Sequence, residues 1–160
     1  MSRLTKNYLI KIAILSAVVF LDLLTKDLFY HQSFGVLPYL IGVRDAVTLN
    51  TGGAWGLFSN FLPALIIFTL LFLGIVVFIE AKWKNTSTLY SLALSFIVGG
   101  ALGNLIDRLV LGGVRDFIYF PFMPSFPTFN LADSFLCIGM VLLVIYILFV
   151  YKPKEKANDL

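Results

Sequence analysis

The sequence predicts an all-α membrane protein, four transmembrane helices in a single domain over residues 1–160, with short β-like elements in the connections. Three observations lead there. The chain is 59% hydrophobic and 13% charged with a mean hydropathy of +0.93, and a soluble domain of 160 residues has too little interior to hide that much apolar surface. Residues 61–79, 89–106 and 134–151 carry no charge at all, and each run is about as long as a helix must be to cross ~30 Å of hydrocarbon. A fourth apolar run, 8–28, keeps Lys11, Asp22, Lys26 and Asp27 towards its ends.

The first helix is expected at about 8–28. A cleaved signal peptide would need a small-x-small site after the apolar run, whereas this run leads into "DLLTKDLF", so the helix is expected to be retained. In the connection that follows, "VRDAVTLN" alternates like a strand and "NTGG" reads as a turn. Helices are expected at about 61–80 and 88–108, joined by a short polar link. The next connection has a β-like run at 114–120 and then aromatics and prolines, a composition suited to the membrane interface. The last helix is expected at about 133–151, and the "KPKEKANDL" tail, about 152–160, reads as disordered.

Orientation follows from the basic residues. Of 12 Lys and Arg, eight lie in the N-terminal segment (Arg3, Lys6, Lys11), the second connection (Lys82, Lys84) and the C-terminal tail (Lys152, Lys154, Lys156). Lys26, Arg44, Arg108 and Arg115 are the others. This bias places both termini in the cytoplasm and the connections near 30–60 and 109–130 on the outer side. It also accounts for the net charge of +3, so no nucleic-acid partner is expected.

The acids gather on one side. Glu80, Glu155 and Asp159 fall in cytoplasmic segments; Asp22, Asp27, Asp45, Asp107, Asp116 and Asp133 fall at or near the outer face. An ionised carboxylate near hydrocarbon costs roughly 3 kcal/mol on insertion scales. Each acid has a plain structural explanation when taken alone. Asp22 and Lys26 make an i, i+4 pair, Asp107 and Arg108 suit a helix end with a snorkelling Arg, Asp133 suits a helix N-terminus, and Asn50 suits a turn. Together they point to a site. "GGALGNLIDR" sets Gly100, Gly103, Asn104 and Asp107 on one helix face. Gly99 and Gly103 form a small-xxx-small pair that admits a close neighbour, and Asn104 and Asp107 then turn towards that neighbour.

The residue inventory removes most chemistries. With one His (His31), one Cys (Cys137) and no HExxH, a zinc site with three protein ligands is unsupported; no metal and no cofactor are expected. His31 sits in a connection, which argues against a Ser–His–Asp triad. Cys137 lies within the last helix and reads as a small packing residue with no disulfide partner. A Ser134–Lys26 pair is the remaining nucleophilic option. Carboxylate is what the chain has in plenty. Two carboxylates ~3 Å apart cannot both ionise, so they share a proton, one serving as base on a water and the other as acid. The residues alone leave Asp107 and Asp116 as alternative partners for Asp133. An ion pathway is the alternative from another class, but helices 2 and 4 offer no polar groups in their inner halves. A non-enzymatic membrane scaffold is the third reading, and it would tolerate Asn at both aspartates.

Five stretches resemble lipoprotein signal peptidase, the type II signal peptidase: "DLLTK" (22–26), "NTGGAWG" (50–56), "GGALGNLIDR" (99–108), "VRDF" (114–117) and "FNLADS" (129–134). They occur in the family's order, and the resemblance spans roughly residues 8–150. It implies a monomeric aspartyl endopeptidase of the bacterial inner or cytoplasmic membrane, with its active site at the outer face and a small extracytoplasmic β-cradle built largely from the first outer connection. It implies lipidated prolipoproteins as substrates, cut before a cysteine that carries diacylglycerol, with membrane lipid as the other partner. The family's two catalytic aspartates fall on Asp116 and Asp133. Its supporting residues fall on Asp22, Lys26, Asn50, Gly52, Asn104, Asp107, Arg108, Asn130 and Ala132. One physical hint agrees with Asp116 over Asp107. Asp107 lies beside Arg108 and three residues from Asn104, which keeps a carboxylate ionised, whereas Asp116 sits among Val114, Phe117 and Ile118, where desolvation raises a carboxyl pKa. Two positions depart from the family: Arg115, where an apolar residue is frequent, and Gly53, where Ala is common. Arg115 is expected either to line the site or to face headgroup phosphates.

Overall fold

In a computed structural model, the protein is described over residues 2–31, 42–53, 61–83 and 85–152. The elements run α1 (Arg3–His31), β1 (Gly42–Asn50), α2 (Leu62–Trp83), α3 (Thr88–Leu111), β2 (Val114–Tyr119) and α4 (Leu131–Ile145), and α4 continues through a π-helical turn at Tyr146–Val150. Among the described residues, four helical stretches are long and apolar enough to cross a bilayer: Leu4–Tyr30, Leu62–Trp83, Thr88–Leu111 and Leu131–Val150. The protein is therefore mostly helical and membrane-embedded, with a small antiparallel sheet.

The central helix is α3. Its buried residues form one continuous stripe that includes Ala93, Ile97, Gly100, Ala101, Gly103, Asn104 and Asp107, and α1 and α4 cover it. Small residues set the spacing. A Cβ on Gly99 would lie 2.6 Å from Val18 Cγ1 on α1, and one on Gly100 would lie 2.5 Å from the Ala132 carbonyl oxygen on α4. A Cβ on Gly139 of α4 would meet Ile97 Cγ1 at 2.8 Å and the Ala93 carbonyl oxygen at 2.9 Å. With lipid as apolar as the helices, such close backbone approach is what holds a membrane bundle together. The expected end of this helix near Asp107–Arg108 is one turn short. The helix continues to Leu111 and stops at Gly112, whose φ of 74° is the left-handed conformation that glycine adopts without strain.

No residue of α2 is buried, as expected of a helix that faces lipid on most sides. It is tied in at the end of the bundle away from the sheet. There Glu80 pairs with Lys11, Tyr8 Oη donates to the Glu80 carbonyl at 3.5 Å, and Lys11 Nζ donates to the Asn85 carbonyl at 3.3 Å. Asn7 Nδ2 donates to the same Asn85 carbonyl at 3.1 Å, and the Asn85 side chain bonds Tyr146 Oη. Lys11, read from sequence only as an orientation charge, is thus a buried structural cation.

The sheet lies at the opposite end. β1 pairs antiparallel with β2, with Gly42 opposite Tyr119 and Asn50 opposite Val114, and a register shift falls between Val43 and Thr48. Ile118 also bridges Phe129. The cradle was expected largely from the connection between α1 and α2; among the described residues the connection between α3 and α4 contributes a full strand to it. Residues 32–41, 54–60 and 153–160 lie outside the described residues, and with them the "AWG" of the first connection and the expected disordered tail.

These close contacts predict opposite outcomes for two glycines. Gly100→Ala should destabilise the protein by about 1–3 kcal/mol, because α4 backbone would have to move away. Gly74→Ala on α2, with nothing within 4 Å of the added carbon, should stabilise by up to about 1 kcal/mol through helix propensity. Thermal unfolding in detergent separates them, and a Gly100→Ala protein as stable as the parent would contradict the α3–α4 spacing.

Candidate active site

Five segments deliver polar side chains to the sheet end of the bundle. The deepest is Lys26, one turn beyond Asp22 on α1. Both side chains have 0% exposure, and Nζ donates to Asp22 Oδ2 at 2.7 Å. It also donates to Asn104 Oδ1 at 2.9 Å and lies 3.6 Å from Asp107 Oδ2. A buried charge survives only when paired and hydrogen-bonded, and three polar groups from α1 and α3 surround this one. Gly103 makes room for the arrangement: a Cβ there would lie 2.3 Å from Asp22 Oδ2. Asp22 Oδ1 accepts from the Ala132 amide at 2.8 Å. That amide belongs to the first turn of α4, where a carboxylate is favoured by the unpaired N–H groups and the helix dipole.

The start of α4 is fixed by a capping box. Asn130 is the N-cap; its Oδ1 accepts from the Asp133 amide at 2.9 Å, and Asp133 Oδ2 accepts from the Asn130 amide at 3.2 Å. The pattern is the familiar box with Asn and Asp in place of Ser/Thr and Glu/Gln. The Asn130 side-chain amine is left to donate to Asn104 Oδ1 at 3.1 Å and to Asp116 Oδ1 at 2.8 Å. Asn104 Nδ2 donates to Asp133 Oδ1 at 2.8 Å. Because Lys26 and Asn130 both donate to Asn104 Oδ1, the Asn104 amide has one sensible orientation, with its NH2 towards Asp133.

Asp116 arrives on β2, where alternation decides which side chains face the site. Val114 and Asp116 line a cleft. Their neighbours turn the other way: Arg115 reaches Asp107, and Phe117 stacks on Phe29 of α1 with ring centroids 4.7 Å apart. Asp116 Oδ2 accepts from Asn50 Nδ2 at 3.0 Å. Asn50 is itself held in a turn, with its Oδ1 accepting from the Gly52 amide at 2.9 Å. Gly52 is buried, and its carbonyl accepts from Arg108 Nη2 at 3.4 Å. Burial, and then the negative charge of Asp133, push the Asp116 carboxyl up to about 6, against the opposing hydrogen bonds from Asn50 and Asn130.

Asp116 and Asp133 therefore share one scaffold residue, Asn130, and open on one cleft of about 560 Å³. Asn104 and Arg108 form its polar wall; Phe120, Phe126 and Phe129 at one end and Leu136, Ile138 and Met140 along α4 form its apolar wall. Every residue singled out from the sequence as catalytic or supporting lies in this network. Asp107 does not face the cleft as Asp116 does. Its expected partner, Arg108, points elsewhere, since adjacent helix residues diverge. Asp107 is held instead by Arg115, which was expected to line the site or to face headgroup phosphates and does neither: Nη2 and Nε donate at 2.8 and 3.2 Å and the backbone amide at 3.0 Å. No local sequence signal marks that fork, which forms only because Gly112 turns the chain back along α3. The Ser134–Lys26 pair is not made; Ser134 Oγ donates to the Asn130 carbonyl at 3.1 Å, while Lys26 bonds Asp22 and Asn104. Among the described residues no three His, Cys, Asp or Glu side chains are gathered to hold a metal ion.

The raised carboxyl of Asp116 has a consequence for stability. An acid whose pKa lies higher in the folded than in the unfolded state binds more protons when folded, so stability falls as pH rises through the window between the two values. For Asp116 the window runs from its ordinary 3.8 to about 6, and the change is on the order of 3 kcal/mol. The difference in unfolding free energy between the parent and Asp116→Asn should therefore change across pH 4–6 and level off above it. A difference that stays constant across that range would mean that Asp116 is not buried beside a second charge.

A family model described as signal peptidase (SPase) II matches residues 14–149. Two solved structures, each of a bacterial membrane enzyme determined by the in meso method, are similar to this chain. One, at 2.3 Å resolution, has a TM-score of 0.79 and 33% identity over 92% of this chain and 94% of that one. The other, at 1.9 Å, has a TM-score of 0.76 and 35% identity over 88% of this chain and 94% of that one. Sequence, fold and a paired-carboxylate cleft agree: the chain belongs to the signal peptidase II family, and is a multi-pass membrane hydrolase of the aspartic peptidase class that serves lipoprotein signal-peptide processing.

Proposed function

We propose that the protein is an endopeptidase that removes the signal peptide from diacylglyceryl-modified prolipoproteins, cutting before the lipidated cysteine, with Asp116 and Asp133 as its catalytic pair. The observation that carries this reading is the joint hold of Asn130 on both carboxylates, which open on one cleft. Asp116, with its raised carboxyl, carries the proton of the pair, and Asp133 is the base. A water between them loses a proton to Asp133 as its oxygen attacks the scissile carbonyl carbon, and Asp116 protonates the carbonyl oxygen. The gem-diol collapses when Asp133 returns its proton to the amide nitrogen. The C–N bond breaks, Asp116 recovers its proton from a hydroxyl, and the products are a signal peptide with a free carboxyl end and a new amino-terminal lipidated cysteine. Lys26 and Arg108 act on the pair electrostatically and limit the repulsion between charges in it.

The apolar wall supports a lipid-bearing substrate. It runs from the phenylalanines at the sheet end down α4 to Met140, beside lipid-facing Val141 and Val144. Acyl chains attached next to the scissile bond can lie along it while the peptide bond stays at the aqueous end, and each buried methylene contributes about 0.8 kcal/mol. The bias of the basic residues supports an orientation with both termini in the cytoplasm and this cleft at the outer face, in keeping with an enzyme of a bacterial inner or cytoplasmic membrane.

Purified protein with lipidated and unlipidated forms of one precursor tests the reading. The lipidated form should be cleaved strongly in preference, chelator should have no effect, and Asp116→Asn or Asp133→Asn should abolish turnover in folded protein. Asp107→Asn should lower it within about tenfold, the size expected for a group that acts through its neighbours. Equal cleavage of both precursors would remove the lipoprotein assignment, and near-normal turnover by Asp116→Asn would remove the pair. Orientation is tested with Cys137→Ala protein carrying a single cysteine at exposed Ser125 or at exposed Lys82. An impermeant thiol reagent on intact cells should label the first and spare the second, and the reverse pattern would turn the protein over.

A further inference from the structure

Arg115 stands out because nothing in the proposed chemistry uses it. It faces away from the cleft and sits next in sequence to Asp116, yet it makes the most complete ion pair of the site. Its fork holds both oxygens of Asp107, its backbone amide holds one of them again, and Nη1 lies 3.9 Å from Asp27 Oδ1. Asp107 is 1% exposed, and the groups facing it are Arg115 from β2 and Lys26 from α1, with Asp22 behind Lys26. Arg108, on its own helix, is directed to the Gly52 carbonyl.

Lys26 thus stands between two buried carboxylates. It is 2.7 Å from Asp22 but 3.6 Å from Asp107, and its remaining bond goes to Asn104 Oδ1 at 2.9 Å. That last bond helps set the Asn104 amide with its NH2 on Asp133. Without Arg115, Asp107 would be a buried carboxylate with Lys26 as its nearest cation. Breaking a buried ion pair leaves an uncompensated charge; the ammonium, whose third N–H is not used by Asp22 or Asn104, would be drawn from 3.6 Å towards Asp107, and its bond to Asn104 would lengthen. One of the two donors that fix the Asn104 amide would then hold it less firmly.

We infer that Arg115 is a positioning residue for the catalytic pair: by neutralising Asp107 from the side away from the cleft, it leaves Lys26 free to hold Asn104, and through Asn104 it orients Asp133. The effect passes through charge, so it is cancelled by removing the charge Arg115 answers to. Its consequence for turnover rests on the peptidase reading above; its consequence for Asn104 does not.

The test compares the parent, Arg115→Met, Asp107→Asn and the double variant in detergent, with two readouts. With the lipidated precursor, Arg115→Met should lower kcat roughly tenfold or more with little change in KM, and Asp107→Asn in the same chain should bring kcat back to the level of Asp107→Asn alone. With protein labelled on asparagine nitrogen, the Asn104 side-chain NH2, assigned by its loss in Asn104→Asp, should exchange slowly in the parent, quickly in Arg115→Met and slowly again in the double variant. Should Arg115→Met fail to fold, Arg115→Gln, which can still bond one Asp107 oxygen but supplies no charge, carries the same expectations. A kcat and an Asn104 exchange rate unchanged in Arg115→Met would overturn the inference. So would a double variant as impaired as Arg115→Met, which would make Arg115 a strap holding β2 to α3. If the parent itself cleaves no lipidated precursor, the functional reading fails, and the exchange readout still decides the role of Arg115.

Discussion

A lysine ammonium with no exposed surface lies inside a transmembrane bundle, and the rest of the site is arranged around its neutralisation. Lys26 needs acceptors, and Asp22, Asn104 and Asp107 supply them from two helices. Once Asp22 is committed to Lys26 through one oxygen, its other oxygen is available to the first turn of α4, through the Ala132 amide. Once Asn104 accepts from Lys26, its amine must donate, and the acceptor within reach is Asp133. One buried charge thereby fixes the mutual placement of α1, α3 and α4 and the orientation of a carboxylate at the mouth of α4. The cost of burying the cation is offset only if all of these partners are present, which explains why the helices meet at glycines here: Gly100 and Gly103 let Ala132 and Asp22 approach α3 closely.

The second carboxylate is brought in by different physics. Asp116 stands on a strand, not a helix, and the strand is held over the bundle by Arg115 on Asp107 and by Phe117 on Phe29. Strand alternation then points Asp116 the opposite way, into the cleft, where Asn50 and Asn130 receive it. Neutral amides suit a pair that holds one proton between two oxygens sets. A cation in direct contact with Asp116 would favour its ionised form and leave no acid to protonate a carbonyl. The cations are instead one residue removed, close enough to moderate the field and too far to settle the protonation state alone.

Helical periodicity made most of α3 legible in the sequence. The i, i+3, i+4, i+7 spacing of Gly100, Gly103, Asn104 and Asp107 does place them on one buried face. The hydropathy runs located the spanning helices, and their ends shifted where local caps decided: α4 begins at Leu131 because Asn130 caps it, and α3 runs on until Gly112. The Asn130–Asp133 box was present in the spacing N-x-x-D, one chemical step from the common capping pattern. What the sequence could not give was the partner of each charge. Asp107 and Arg108 are adjacent in the chain and diverge in space, whereas Asp107 and Arg115 meet across a turn. Lys11 and Glu80 are far apart in the chain and join at the end of the bundle away from the sheet. Such pairings depend on tertiary packing, to which composition and periodicity are blind, and the choice of Asp116 over Asp107 came from resemblance and a desolvation argument, not from spacing.

The proposed chemistry requires the Asp116–Asp133 pair to hold one proton, on Asp116, where burial and the charge of Asp133 raise the carboxyl to about 6. Infrared difference titration reads this directly, since a protonated carboxyl has a C=O stretch well separated from a carboxylate and sensitive to deuterium. A buried carboxylic-acid band is expected that fades as pH rises through about 6, is absent from Asp116→Asn and persists in Asp133→Asn. A band that survives in Asp116→Asn and disappears in Asp133→Asn, or no such band at any pH from 4 to 8, would contradict it.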